Sequence, residues 1–183
     1  MNILVTYFSE TGNTKKVAEA IDEEARKGDH EVQLLDAGSV NAETLVSADL
    51  AFVGSTCHSA DIAAPAKAVL GMIPTGSALR LAGFMTHSTL MPGKSDRHTE
   101  LYEKWAGKAP GTFQAKAKEK GVEFVGYFHC MGAANPGIEE SIRNTIITDE
   151  AEWTEYAPEM RKHPDAKDLD DARVFAREVL AKL

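Results

Sequence analysis

The residues that could do chemistry gather first at Ser9-Glu10-Thr11-Gly12-Asn13-Thr14. Three hydroxyls and one carboxamide surround a single glycine, and no lysine stands among them. A phosphate placed there would meet backbone N–H donors and the positive end of a helix dipole. Ser9, Thr11 and Thr14 would add side-chain donors, and Gly12 would let the backbone turn closely about the anion. Nucleoside triphosphate loops use a phosphate-reaching lysine, and dinucleotide folds use G-x-G-x-x-G. This loop has neither, so a monophosphate held by neutral donors fits best, with the Glu10 side chain turned to solvent. Capping of the following helix is the competing explanation, but a cap needs only one hydroxyl.

Such a loop needs a buried strand before it and a helix after it. Ile3 to Phe8 is a near-continuous apolar, β-prone run, as in a parallel strand covered on both faces. Val17, Ile21 and Ala25 then recur every four residues among charged neighbours, which predicts an amphipathic helix ending near Gly28. Further strands are expected at 30–35, 51–53, 82–86 and 122–128. Helices are expected between them at 41–48, 63–72, 96–107 and 112–120, the last two separated by Gly107 and Pro110. This alternation predicts an α/β fold, a doubly wound five-stranded parallel sheet with helices on both faces. Right-handed crossovers bring every strand-to-helix loop to one end of the sheet. Beyond it, a helix is expected at 138–146. A short helix carrying Trp153 and Tyr156 starts at Asp149 and stops at Pro158, and a final helix covers 168–182. Residues 1–183 read as a single domain with an extra segment at about 133–167. Trp153 and Tyr156 there suit packing on the sheet edge, a cover over a ligand, or a subunit contact.

The bulk properties narrow the function. Twenty basic against 28 acidic side chains give a formal charge of −8, which repels nucleic acid and anionic membranes. No stretch approaches the roughly 18 apolar residues of a membrane span, and the opening residues enter a strand with no basic region before an apolar run, so no leader peptide is expected. A cytoplasmic protein with neither a nucleic-acid nor a membrane partner is expected. Cys57 and Cys130 make neither a disulfide scaffold nor a metal cluster. Both fall at strand ends, as unpaired small apolar residues or as a redox pair.

The opening Tyr7-Phe8-Ser9-Glu10-Thr11-Gly12-Asn13-Thr14-Lys15-Lys16-Val17-Ala18 resembles the flavodoxin signature. The order of strands and helices is similar as well. The resemblance implies sheet order 2-1-3-4-5 and FMN bound where the strand order reverses. Ser9, Glu10, Thr11, Gly12, Asn13 and Thr14 would then hold the phosphate. Two further loops would clasp the flavin ring. One carries Thr56, Cys57, His58, Ser59, Ala60 and Asp61, and the other carries Thr86, His87, Ser88 and Thr89. Many flavodoxins stack a Trp or Tyr from these loops on the ring. Neither residue is present in them here, which leaves His58 and His87 for ring contact or a bond to a flavin nitrogen. Phe128-His129-Cys130-Met131-Gly132 and His163-Pro164-Asp165 resemble segments of one branch of flavodoxin-like proteins rather than a standard flavodoxin. The first functional expectation is electron transfer to a redox protein partner, with no catalytic side chain and no metal. The second is an FMN-dependent NAD(P)H oxidoreductase acting on a quinone-like small acceptor, a class commonly oligomeric and compatible with a homodimer. The third is a non-redox ligand-binding or interaction module.

Overall fold

The computed structural model describes residues 1–183. The chain runs β1 (Asn2–Phe8), α1 (Asn13–Ala25), β2 (Glu31–Asp36), α2 (Ala42–Ser47), β3 (Leu50–His58), β4 (Asp61–Ile62), α3 (Ala64–Met72) and β5 (Arg80–His87). It continues with α4 (Asp96–Trp105), α5 (Ala109–Lys120), β6 (Glu123–Met131), α6 (Pro136–Thr145), α7 (Glu150–Arg161) and α8 (Ala166–Leu180). The parallel strands lie in the order β2-β1-β3-β5-β6, and the two-residue β4 pairs antiparallel with β3 alone. Leaving β4 aside, this is the expected 2-1-3-4-5 order.

The apolar runs are continuous because both faces of the sheet are buried. Ile3 and Val5 join Phe52 and Phe84 under Val17 and Ile21 of α1 and Phe175 and Val179 of α8. Leu4, Val53, Leu81 and Met85 point the other way, beneath Val69 and Leu70 of α3 and Phe113 of α5. Strand β2 lies at an edge, and its alternation of exposed and half-buried positions follows from that. Strand β5 reads as weakly hydrophobic, yet Leu81 to His87 are all buried. Gly83 explains part of this, because a Cβ there would lie 2.6 Å from the Phe113 ring.

Several boundaries differ from the sequence expectation. Helix α5 begins at Ala109, with Pro110 in its first turn, where its missing N–H has no helical partner. Helix α8 begins at Ala166, because Asp165 and Asp168 form a reciprocal capping box. Pro158 does not stop α7, which runs on to Arg161. The carbonyl that Pro158 leaves unpaired belongs to solvent-exposed Thr154, while buried Tyr156, Ala157 and Met160 hold the turn in place. Tyr156 and Met160 enter a third cluster with Leu101, Met131, Ile142 and Ile147. Segment 133–167 is thereby anchored at the C-terminal end of β6. Trp153 stacks on Tyr156 at 5.8 Å within this packing.

Candidate functional site

Helix α1 begins without a side-chain cap. Its N-cap is Gly12, left-handed at φ 85°, and no side chain accepts from the first turn. By contrast α2, α4, α6, α7 and α8 are capped by Asn41, Ser95, Asn135, Asp149 and Asp165, and the other two uncapped helices, α3 and α5, carry a proline in the first turn, which α1 does not. The hydroxyls of the first loop are therefore not there as caps. Thr14 Oγ1 pairs with Thr86 Oγ1 at 2.8 Å in the interior. Thr11 Oγ1 accepts from Asn13 Nδ2 at 2.9 Å, and that same amide donates to the Ala133 carbonyl at 2.8 Å. Ser9 Oγ is buried and has no hydrogen-bond partner. The loop thus presents orphan backbone N–H groups and an unused hydroxyl at a helix N-terminus, the chemistry of an anion site.

The second loop is a β-hairpin. Strand β3 continues through Cys57 and His58, which pair with Ile62 and Asp61 of β4. Ser59 and Ala60 make the turn with φ of 52° and 71°. Two positive φ values are the mark of a type I′ turn, which favours Asn-Gly, so the Ser-Ala pair holds a strained backbone. His58 Nε2 donates to Glu10 Oε2 at 2.7 Å, joining the hairpin to the first loop, so the half-exposed Glu10 side chain sits at the cleft rather than turning freely to solvent. The far side of the hairpin has structural ties: Ala60 O accepts from Lys108 N, and Asp61 pairs with Lys67 at 2.7 Å. The Cys57 thiol donates to Trp105 O at 3.3 Å, and burial pushes its pKa up to about 11. Cys57 packs with the α3–α5 face of the sheet and Cys130 with the α1–α8 face, so the two do not pair.

The third loop closes upon itself. His87 is buried, and both ring nitrogens are engaged. Nδ1 meets Thr89 O at 3.1 Å and Thr89 Oγ1 at 2.8 Å, and Nε2 meets His129 Nδ1 at 2.9 Å. Burial, with His129 alongside, lowers the His87 pKa to about 3, and burial lowers that of His129 to about 4. Both imidazoles are therefore neutral near pH 7. His87 has no nitrogen left for a ligand, whereas His58 keeps Nδ1. Ser88 Oγ donates to Gly132 O at 3.1 Å, and Tyr156 OH donates to Ser88 O.

These loops enclose a cleft of about 440 Å³ at the C-terminal end of the sheet. Glu10, Thr11 and Asn13 line it from the first loop, Thr56, Cys57, His58 and Ser59 from the second, and Thr86, His87 and Ser88 from the third. Ser9, Gly12, Thr14, Ala60, Asp61 and Thr89 are not among the lining residues. A fourth wall, unforeseen in the sequence, comes from Gly132, Ala133, Ala134, Asn135 and exposed Ile138. Its signal was the same as for the other loops: it joins the C-terminal end of a central-sheet strand to a helix N-cap, Asn135. Trp153 and Tyr156 do not line the cleft, and neither does any lysine or arginine.

No helix is long and apolar enough to cross a membrane. A family model described as flavodoxin domain matches residues 4–177. Over 61 residues the chain is 39% identical to a flavodoxin of Nitratidesulfovibrio vulgaris, a match spanning 33% of this chain and 41% of that protein. Among solved structures, Flavodoxin 2 from Bacillus cereus superposes with a TM-score of 0.66 at 18% identity, with 100% of both chains covered. A flavodoxin from the domain Archaea does so at 0.63 and 20% identity, covering 100% of this chain and 98% of that one. The rubredoxin oxygen:oxidoreductase of Desulfovibrio gigas gives 0.65 at 13% identity, with 99% of this chain matching 35% of that one. The family match over most of the chain, on a fold shared with these structures, shows that this protein belongs to the flavodoxin domain family.

Proposed function

We propose that the cleft binds FMN and that the protein carries electrons to a redox partner. The observation that carries this reading is the uncapped N-terminus of α1 beside the unpartnered, buried Ser9 hydroxyl. Backbone N–H groups of the first turn, with Ser9 and Thr11, would hold the phosphate. Asn13, tied to Ala133, would keep the loop in shape. The cleft volume lies within the usual range for small-ligand sites, about 300–1,000 Å³. Thr56 to Ser59 and Thr86 to Ser88 would flank the ring, and Ile138 would supply apolar cover in place of an aromatic side chain. Bound flavin supplies one- and two-electron chemistry, and the protein's part is to bind it and tune it. With no cation in the lining and Glu10 at the rim, negative charge in the cleft is left uncompensated, which favours a low potential.

The absence of a covering Trp or Tyr supports a second reading, an FMN-dependent NAD(P)H oxidoreductase, because a ring face left open can admit a nicotinamide. The visible spectrum of the purified protein, followed by FMN titration of the apoprotein, tests the first claim. No flavin spectrum and no uptake of added FMN would overturn it. Mixing the flavin-loaded protein with NADH or NADPH in a stopped-flow instrument separates the two readings: fast bleaching selects the oxidoreductase, and no bleaching selects the carrier.

A further inference from the structure

The bonded histidine pair behind the cleft has a direction. Thr89 O can only accept, so the 3.1 Å contact with His87 Nδ1 favours the proton on that nitrogen, with the Thr89 hydroxyl at 2.8 Å, which can act either way, accepting beside it. His87 Nε2 is then a bare lone pair and must accept. The 2.9 Å contact therefore comes from a proton on His129 Nδ1. His129 Nε2 is left bare and is the one ring nitrogen of the pair without a hydrogen bond. A proton added there breaks no existing bond, because Nδ1–H continues to donate to His87. Both rings are thus set in the Nδ1–H tautomer by a single backbone carbonyl 40 residues before His129 in sequence.

The surroundings leave the pair sensitive to charge. Tyr102 of α4 stacks on His129 at 4.6 Å and meets His87 edge-on at 5.2 Å, and Tyr127 of β6 lies 5.8 Å from His129. Thr89 closes the remaining side of His87. Neutral groups therefore surround the pair, and no carboxylate or ammonium group contributes to holding it neutral; burial and the mutual repulsion of the two rings do so. His87 itself lines the cleft.

We infer that His87 and His129 form an oriented imidazole relay whose outer nitrogen, His129 Nε2, takes up a proton from solvent when reduction places a negative charge in the cleft. The redox half of this inference rests on the FMN reading; the tautomers do not. The balance is simple. Two electrons from an external reductant and one proton leave one net negative charge in the cleft, and His129 binds a second proton to give an imidazolium. A negative charge in the cleft strengthens proton binding at a neighbouring imidazole, so reduction raises the His129 pKa from its value of about 4. His129 acts here as a positioning and charge-balancing residue, not a catalytic one.

Nitrogen-15 NMR of the histidines tests both halves. In the apoprotein, His87 and His129 are expected as Nδ1–H tautomers, with His129 Nε2 bare. After anaerobic reduction of the FMN-loaded protein with dithionite at about pH 6, His129 Nε2 is expected to carry a proton. Proton uptake in weak buffer should rise from about one toward about two per two electrons. His129→Asn keeps an N–H donor where Nδ1 stands but has no basic nitrogen, so its uptake should stay near one while FMN still binds. A neutral His129 with its proton on Nε2 overturns the relay. A bare Nε2 after reduction, or equal uptake in the native protein and His129→Asn, overturns the redox coupling. Failure to take up FMN overturns the reading of the cleft and the redox half with it, and the apoprotein tautomers still decide the relay.

Discussion

The first and third loops stand side by side, joined by the Thr14–Thr86 hydroxyl pair, yet they use their polar groups in opposite ways. In the first loop Ser9 Oγ is buried and unpaired and the helix start is uncapped. In the third loop Thr89 and His129 occupy both nitrogens of His87, and Ser88 is bonded through its hydroxyl and its carbonyl. A loop with open donors is built to receive a ligand, and a loop with none left over is built to be a wall. Substitutions in the first should therefore weaken binding more than stability, and substitutions in the third the reverse.

Acid gives the largest test of the closed loop. Both imidazoles have folded pKa values depressed to about 3 and about 4, below the roughly 6.5 of an unfolded histidine. The unfolded chain therefore binds more protons as pH falls below about 6.5, so the pair makes stability decline from there to about pH 3, below which its contribution levels off. Urea unfolding of the apoprotein across that range should show the decline, and His129→Asn should reduce it, leaving the part due to the burial of His87. If the slope is the same in that variant, the pair is not the cause. Next, His87→Ala should cost about 2–4 kcal/mol of stability at pH 7, because it empties a buried site and strands its partners. The same denaturation experiment measures it.

The link between the loops comes third. Thr14→Val leaves the Thr86 hydroxyl buried without a partner, at about 1–3 kcal/mol, and Thr86→Val added to it should recover part of that loss. Additive losses in the double variant would break the assigned pairing. Ser9→Ala should leave apoprotein stability within about 0.5 kcal/mol yet weaken FMN binding about tenfold, as read by fluorescence quenching on titration. A stability loss matching the affinity loss would place Ser9 with the closed loop instead. The smallest effect belongs to the half-exposed Glu10–His58 contact, whose coupling in a Glu10→Gln, His58→Gln double-mutant cycle should be about 0.2–1 kcal/mol.

The fold was legible because its signals are local. Ile3 to Phe8 and the period of Val17, Ile21 and Ala25 announce a buried strand and an amphipathic helix within a few residues. The first loop was legible for the same reason, since Ser9, Thr11, Gly12 and Thr14 are contiguous. The hairpin at Ser59–Ala60 was not, because a type I′ turn is ordinarily announced by Asn-Gly and here tertiary contacts such as Lys108 N to Ala60 O hold it. Pro158 misled for a related reason: a proline near a helix end is disfavoured locally but tolerated when burial on either side holds the turn.

From the sequence alone came the kind of fold, the loops that must meet at one sheet end, and the donor groups at Ser9–Thr14 on which the proposed phosphate site rests. Only the tertiary structure decided which of those polar groups remain free. His87 was a candidate for a bond to a flavin nitrogen until the parallel register of β5 and β6 brought His129, 42 residues further along the chain, against its Nε2. Cys57 and Cys130 were a conceivable pair until strand parity sent them to opposite faces. The residue type says what a side chain can donate or accept; whether a buried partner already satisfies it depends on neighbours that the chain supplies only after it folds.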